Sequence, residues 1–199
     1  MLGQSIPNRT VVGVLAALIF AFTASQPAGA VTIYPAVGSS GDVQWDDHCP
    51  AHNYLIGIKG HVHEEEINQM QIVCAPISAG MHGAKYYGPS HGGGGGTVME
   101  LSCPRDAIAV GAHIFVHRAH TDRIDSMPAV VLVCRKLSGA GSGSILFSAM
   151  GLSDLTPNFH IYETDQACAS EGETASGLNG HSGKIVNAIG LDCAIRTEK

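Results

Sequence analysis

The sequence predicts an all-β domain of three pseudo-symmetric repeats, and three observations support this prediction. First, the six cysteines form successive pairs that lie 25, 31 and 25 positions apart: Cys49 and Cys74, Cys103 and Cys134, Cys168 and Cys193. Second, each pair encloses the same pattern: a Gly eight or nine residues after the first Cys, an aliphatic residue followed by Asn or Asp, then alternating aliphatic residues. Third, these segments are short, rich in Gly and β-branched residues and alternate with period two, which is typical of strands.

Each Cys-bounded unit is predicted to be a β-hairpin. The closing segments "INQMQIVC" (67–74) and "VNAIGLDC" (186–193) place one apolar face inward and one polar face outward. The middle unit carries about three extra residues around Met127-Pro128-Ala129, and the proline there predicts a bulge or an edge irregularity. Strands are also expected before the opening cysteines, in "DVQWDDHC", "TVMELSC" and "NFHIYETDQAC". Each repeat should then hold about four strands, two in the hairpin and two flanking it.

The cysteines are expected to form disulfides. Their number is even, the chain is predicted to be exported, and no C-x-x-C pair suggests a zinc ribbon or a redox site. Six cysteines allow fifteen pairings, and the repeat favours pairing within each unit: Cys49–Cys74, Cys103–Cys134 and Cys168–Cys193. Closing a loop of ~26 residues would stabilise each unit by roughly 3 kcal/mol in the chain-entropy model.

The first thirty residues are predicted to be a signal peptide. They contain one basic residue, Arg9, an apolar stretch from Val11 to Thr23, and the small-residue ending Ala28-Gly29-Ala30. The alternative is an uncleaved membrane anchor. Residues 31–199 would then form one all-β domain with repeats at about 42–90, 91–139 and 140–199. The expected location is secreted or extracellular, or periplasmic in a bacterium.

Composition excludes some classes of partner. The formal net charge is −6 and only 14% of residues are charged, so no basic surface for nucleic acid or anionic lipid is expected. No stretch after residue 30 is long and apolar enough to span a membrane.

Eleven histidines raise the question of a metal. His61 and His63 would lie about 6.6 Å apart along a strand, beside the carboxylates of residues 64–66, and could bind Zn²⁺ or Cu²⁺. A solvated hairpin tip is the favoured interpretation of this cluster. His113 and His117 would be about 13 Å apart, too far for one ion. No metal ligand and no cofactor is therefore predicted.

No catalytic residue is predicted either. The sequence has no G-x-S-x-G motif around a nucleophile, and "GGGGGT" (92–97) lacks the Lys-Ser/Thr of a phosphate-binding loop. All six cysteines are assigned to bridges, which leaves no thiol nucleophile.

Two segments resemble known families. "CASEGETASGLNGHSGKIVNAIGLDC" (168–193) resembles the Cys-bounded repeat of the vitelline membrane outer layer protein I family, which forms a three-fold β-prism. "YYGPSHGGGGGTVMEL" (86–101) is similar to the Gly-rich opening of jacalin-like lectins, another β-prism group, and Ile124-Asp125 matches an Ile-Asp pair found there. The resemblance covers about residues 42–193 and implies three sheets around a common apolar axis. Dermatopontin-like repeats, with Cys-Pro openings and Cys closings, are an alternative.

The lectin resemblance does not assign a sugar site. Jacalin-type sites use a G-x-x-x-D loop near the end of the last hairpin, whereas the residues after Gly190 are Leu191-Asp192-Cys193. The only G-x-x-x-D sequence is Gly38–Asp42, "GSSGD", which is interpreted as a turn in an N-terminal arm. No binding residue is therefore predicted.

Two functions compete. The first is a secreted, non-catalytic, carbohydrate-binding protein whose partner is a glycan. The second is a structural protein of an extracellular coat or matrix, and a hydrolase is a less favoured third. Convergence of aromatic and Asp/Asn side chains at one loop end would favour sugar binding, and scattering would favour the coat. Five aromatic residues could stack on sugars, although such residues are more often core: Trp45, Tyr54, Tyr86, Tyr87 and Tyr162.

Overall fold

The computed structural model describes residues 31–63, 66–118, 124–137, 145–150, 160–168 and 172–195, and the predicted signal peptide lies outside these ranges. The described chain forms fifteen strands and confirms the predicted all-β class: β1 (Val31–Ile33), β2 (Val37–Gly38), β3 (Val43–His48), β4 (Asn53–His63), β5 (Glu66–Ser78), β6 (Met81–His82), β7 (Tyr86–Tyr87), β8 (His91–Gly92), β9 (Thr97–Ser102), β10 (Ala107–Arg118), β11 (Ile124–Lys136), β12 (Ile145–Met150), β13 (His160–Ala167), β14 (Glu173–Ser182) and β15 (Val186–Ile195). Nowhere in the described part of the chain is there a helix that could span a bilayer.

The described strands form three antiparallel sheets, each built around one Cys-bounded hairpin. Sheet I has the hairpin β4–β5 at its centre, with β9 beside β4 and the short β6, β7 and β8 beside β5. Sheet II has the order β12-β11-β10-β13. Sheet III has the order β1-β15-β14-β3, and β2 also pairs with β15. The three predicted hairpins and the three-sheet prism are confirmed.

The strands that precede the opening cysteines pair differently from what the repeats suggest. Strand β3 pairs with β14, β9 pairs with β4, and β13 pairs with β10. Each leading strand therefore completes the sheet of the preceding unit, and β3 completes that of the last. The sheets consequently do not coincide with the repeat ranges expected at 42–90, 91–139 and 140–199. The reason is that the chain turns a corner at each opening cysteine and passes from one sheet to the next.

A β-bulge lies at each of these corners. The first strand of every hairpin has one extra residue directly after its third residue. The three register shifts are equivalent: Leu55/Gly57, Ala109/Gly111 and Ala175/Gly177. The bulge leaves one backbone carbonyl without a partner in the hairpin ladder. In sheet I that carbonyl belongs to Ile56 and accepts a 2.7 Å hydrogen bond from the N–H of Cys103. The carbonyls of Val110 and Ser176 do the same for Cys168 and Cys49, at 2.8 Å each.

The glycine after each bulge is required by the leading strand that packs against it. A Cβ on Gly57 would lie 2.4 Å from the carbonyl oxygen of Leu101. A Cβ on Gly177 would lie 2.1 Å from the carbonyl oxygen of Asp47. Both distances are far below van der Waals contact with backbone atoms that cannot swing away. The repeated glycine of the sequence pattern therefore marks where two units meet.

The inward faces of the three hairpins share one hydrophobic core. Its buried aliphatic side chains come from all three sheets and include Leu55, Ile58, Ile72, Ile114, Val130, Leu132, Leu178, Ile189 and Leu191. The disulfides Cys49–Cys74, Cys103–Cys134 and Cys168–Cys193 lie in the same core, with the pairing that the repeat predicts and Cα separations of 5.7, 5.7 and 5.5 Å. Each bridge fastens the strand leading into a hairpin to the end of that hairpin.

The irregularity predicted in the middle unit is also present. Phe115 pairs with Ala129, whereas His117 pairs with Ser126, so the ladder between β10 and β11 is interrupted at residues 127–128. Pro128 has no N–H to donate to a ladder, which explains why the interruption falls there.

The N-terminal segment ties sheets II and III together. The side-chain amide of Gln166, on β13, donates to Pro35 O at 3.0 Å and accepts from Leu191 N–H at 2.7 Å. The hydroxyl of Tyr34 donates to Ala167 O at 2.5 Å. These bonds join the start of the described chain, its middle and its last strand.

Candidate functional site

Two chain segments that are remote in sequence meet at one end of the prism. One is the β2–β3 connection, residues 38–42, and the other is the turn of the last hairpin, residues 182–187; together we call them the sheet III tip. The N–H of Ser39 donates to Asn187 O at 3.1 Å. Gly38 has φ +144°, and a Cβ there would lie 2.1 Å from the same oxygen. Only glycine allows this close approach.

Two polar side chains converge at the sheet III tip. A Cβ on Gly183 would lie 3.2 Å from Asp42 Oδ2 and 3.8 Å from Asn187 Oδ1. Asp42 is exposed and Asn187 is half-buried. Neither side chain forms a hydrogen bond or ion pair with another described residue. The tip therefore offers a carboxylate and an amide, side by side, to a ligand in solvent.

Sheet I carries an equivalent arrangement, which we call the sheet I tip: Asn68 with the glycine loop Gly92–Gly96. The N–H of Gly93 donates to Asn68 O at 2.9 Å, as Ser39 does to Asn187. Gly92 has φ +92°, and its Cβ would again lie 2.1 Å from the asparagine carbonyl oxygen. A Cβ on Gly94 would meet nothing within 4 Å, so the outer side of this loop is open.

The two tips form one continuous surface. The N–H of Gly93 also donates to Lys184 O, in the turn of sheet III, at 3.0 Å. The start of the glycine loop is held by His91, whose ring stacks on Trp45 with centroids 4.4 Å apart and planes 6° apart. His91 Nε2 lies 2.8 Å from Asp47 Oδ2. Because Trp45 and Asp47 belong to β3, the loop of sheet I is anchored on sheet III.

The sequence predicts that Gly38–Asp42 is a turn in an N-terminal arm. In the structure this segment connects β2 and β3 and lies against the last hairpin. The last hairpin turns at Gly183, seven residues before Gly190, so its turn lies upstream of residues 191–193. Five residues from there, G-K-I-V-N, end on Asn187. The repeated aliphatic-Asn pair after each turn, Ile67-Asn68 and Val186-Asn187, was the sequence signal for both tips.

The histidine candidates are not brought together. His63 is exposed and His61 is half-buried, and neither belongs to a group of three potential ligands among the described residues. Residues 64 and 65 and the side chain of His117 lie outside the described part. His113 contacts Asp165, and its Nδ1 lies 3.3 Å from Glu163 Oε1, on the outer face of sheet II.

The aromatic candidates do not line the tips. Trp45 and Tyr54 are buried, and the side chain of Tyr162 is outside the described part. Tyr86 and Tyr87 are 44% and 41% exposed, on β7 at the outer edge of sheet I, where Lys59 Nζ lies 5.0 Å from the ring centroid of Tyr87. Carboxylate and amide groups therefore converge at one end of the prism, whereas the exposed aromatic rings lie elsewhere.

A shallow pocket of about 340 Å³ lies beside Cys103, lined by His82, Lys85, Ser102 and Arg105 among others. Burial lowers the pKa of His82, whose Nε2 lies 2.5 Å from Ala107 O. Lys85 Nζ lies 2.5 Å from Glu100 Oε1, and this hydrogen bond lowers the pKa of Glu100. Because Lys85 is already neutralised, the pocket is a weaker anion site than its lining suggests.

No protein-family model and no curated protein sequence matches the chain. Solved structures do match it in fold. A Malaysian banana lectin superposes with a TM-score of 0.54 at 15% identity, covering 84% of this chain and 100% of that one. Artocarpin complexed with methyl-α-mannose gives 0.57 at 13%, covering 85% and 99%. A mannose-binding jacalin-related lectin from Ananas comosus gives 0.55 at 13%, covering 83% and 98%.

These likenesses test the two family resemblances differently. The jacalin-like resemblance is confirmed at the level of the fold, because the neighbours are jacalin-related lectins and match over nearly their whole length. The resemblance to the vitelline membrane outer layer protein family stays a prediction. The chain has the β-prism fold of the jacalin-related lectins.

Proposed function

We propose that this protein is a secreted, non-catalytic lectin that binds glycan hydroxyl groups at the sheet III tip. The observation that carries the proposal is the convergence of Asp42 Oδ2 and Asn187 Oδ1 within 4 Å of one point, the Cβ position of Gly183. A carboxylate accepts hydrogen bonds from two adjacent hydroxyl groups, and an amide both accepts and donates. Hydrogen bonds to a charged group contribute about 1.5–3 kcal/mol each.

Two further features support sugar binding. Gly38 and Gly41 pack directly against the last hairpin, where a Cβ would lie 2.1 Å from Asn187 O and 2.8 Å from Ser182 N respectively, and this close packing holds Asp42 beside Asn187. The sheet I tip repeats the asparagine and the glycine loop, so the same end of the prism can engage two sugar units of one glycan. Two linked sites raise the overall affinity without any new contact.

Secretion is supported by the predicted signal peptide, residues 1–30, and by the three disulfides, which persist in oxidising compartments. The choice of a first ligand is supported by two of the similar structures, artocarpin complexed with methyl-α-mannose and the mannose-binding lectin from Ananas comosus.

The test is binding of the folded, disulfide-bonded protein to a glycan array, followed by calorimetry with methyl-α-mannoside or the best array ligand. Asp42→Ala and Asn187→Ala should each weaken binding at least tenfold, which corresponds to about 1.4 kcal/mol. Glu163→Gln, a matched change of an exposed residue on sheet II, should bind as the wild type does. If the wild type and the three variants bound the ligand equally, the sugar site would not lie at the sheet III tip.

The structural coat remains the second candidate because the exposed rings of Tyr86 and Tyr87 lie away from the tips. A folded protein that binds no glycan on the array would contradict the lectin proposal and leave the coat function in the lead.

A further inference from the structure

A second cluster of polar side chains lies on the outer face of sheet III, away from the tips. Asp46 and His48 belong to β3, Asp192 belongs to β15, and β14 runs between these strands. Potential ligand atoms of the three side chains lie within 4.8 Å of one another. His48 is six residues from Asp42, about 20 Å along an extended strand. The cluster is therefore separate from the proposed sugar site.

One atom of this cluster is buried and lacks a hydrogen bond. Asp192 is 0% exposed, and its Oδ1 accepts from Asn179 Nδ2 at 2.8 Å. Its Oδ2 is buried without any hydrogen-bond partner among the described residues. It points towards His48, whose Nδ1 is 4.0 Å away. An unsatisfied buried carboxylate oxygen is costly, and a bound cation removes that cost.

A glycine lies between the two side chains in the strand register. Gly177 lies opposite both His48 and Asp192 in the strand register, so these two side chains flank a position that has none. A Cβ on Gly177 would lie 2.9 Å from His48 Nδ1.

The distances suit one transition-metal ion. Two ligands that each lie ~2.1 Å from a tetrahedral Zn²⁺ are about 3.4 Å apart. His48 Nδ1 and Asp192 Oδ2 are 4.0 Å apart, so they have to approach by about half an ångström to share one ion. Asp46 Oδ1 lies 3.2 Å from the other ring nitrogen of His48, Nε2, so this exposed side chain has to turn towards Nδ1 to complete the set. Imidazole with carboxylates is a ligand set for Zn²⁺ or Mn²⁺, whereas Ca²⁺ prefers oxygen ligands only.

We propose that Asp46, His48 and Asp192 form a binding site for a divalent transition-metal ion that joins β3 to β15 across Gly177. The ion leaves at least one coordination position to water, since the chain supplies three ligands. The effect of the ion is structural. It links β3 to β15, the last strand, and neutralises the buried charge of Asp192. This site is additional to the sequence analysis, which predicted no metal ligand.

A shared proton is the rival explanation for the cluster. Burial raises the pKa of Asp192 to about 6, and the nearby Asp46 carboxylate also raises it, while the Asn179 hydrogen bond opposes them. The test is therefore made at pH 7.5, where the carboxylate is mostly ionised and available to a cation.

The experiment titrates Zn²⁺, and separately Ca²⁺, into the folded, disulfide-bonded protein after removal of metals with EDTA. We expect Zn²⁺ to bind with one equivalent assigned to this site, and Ca²⁺ to bind at least tenfold more weakly. His48→Gln and Asp46→Asn change exposed side chains, so both variants should fold, and each should weaken Zn²⁺ binding at least tenfold. His113→Gln, which alters the exposed His–Glu–Asp group on sheet II, should retain it.

Two other readouts separate a site from adventitious binding to a histidine-rich chain. Zn²⁺ should raise the melting temperature of the wild type and of His113→Gln, but not of His48→Gln. Co²⁺ should give a visible ligand-field band that His48→Gln abolishes. Absence of Zn²⁺ binding, unchanged binding in His48→Gln, or loss of binding in His113→Gln instead would each overturn the proposal.

Discussion

Three glycines lie where two strands approach each other too closely for a side chain. Gly57, Gly111 and Gly177 each follow a bulge, and each faces the backbone of a strand from another unit. The sequence showed that a glycine recurs at this position, but it could not show why. The reason depends on a neighbouring strand that arrives from elsewhere in the chain.

Replacing one of these glycines should be costly. In Gly57→Ala the new methyl group would lie 2.4 Å from Leu101 O, so β9 must shift away from β4. Overpacking of this kind costs about 1–3 kcal/mol, measured as the free energy of unfolding in urea. Gly94→Ala is the matched control, because its Cβ meets nothing within 4 Å, and its stability should change by less than ~0.5 kcal/mol. Equal stabilities of the two variants would contradict the close-approach argument.

The site residues were partly within reach of the sequence. The aliphatic-Asn pairs were visible, and the turn they follow could be placed by the hairpin alternation. Asp42 was not assigned, because its distance from Asn187 depends on the closing of sheet III, which joins segments more than 140 residues apart.

At the scale of the elements, hairpins were predictable and sheets were not. Alternation and cysteine spacing are local signals, and all three hairpins and their bridges follow from them. The pairing of each leading strand depends on tertiary contacts. One of them is the hydrogen bond between a bulge carbonyl and the N–H of the opening cysteine that follows the leading strand. Nothing in the alternation of "TVMELSC" indicates that it pairs with β4 and not with β10.

The three bridges should contribute similarly to stability. Their loops span 25, 31 and 25 positions, and the entropy of loop closure depends only weakly on length. Each paired replacement, such as Cys49→Ala with Cys74→Ala, should lower the free energy of unfolding by roughly 3 kcal/mol. Urea denaturation of the three double variants measures this. A variant that lost no stability would show that its hairpin is held by packing alone.

At the scale of the whole molecule, Gln166 connects three parts of the fold. Its amide bonds to the N-terminal segment and to the last strand from a position on sheet II, where it is 3% exposed. This role could not be predicted from the sequence, because a single glutamine in a strand is ordinarily a surface residue.

Gln166→Ala should therefore destabilise the protein by about 2 kcal/mol, because Leu191 N–H and Pro35 O lose their partner. Thermal and urea unfolding of the variant would measure the loss. Ser90→Ala removes an exposed hydrogen bond to Gln71 and should change stability by less than ~0.5 kcal/mol. If Gln166→Ala left the free energy of unfolding unchanged, water would have replaced the hydrogen bonds of the amide.

The pairing of β1 with β15 places Val31 opposite Ala194. The first and last strands of the described chain are therefore neighbours in one sheet. Sheets I and II can assemble from neighbouring segments as the polypeptide emerges during synthesis. Strands β1 to β3 have no partner until the final hairpin exists. These segments stay unpaired until then, and the sheet III tip, which depends on them, is the last part of the described chain to form.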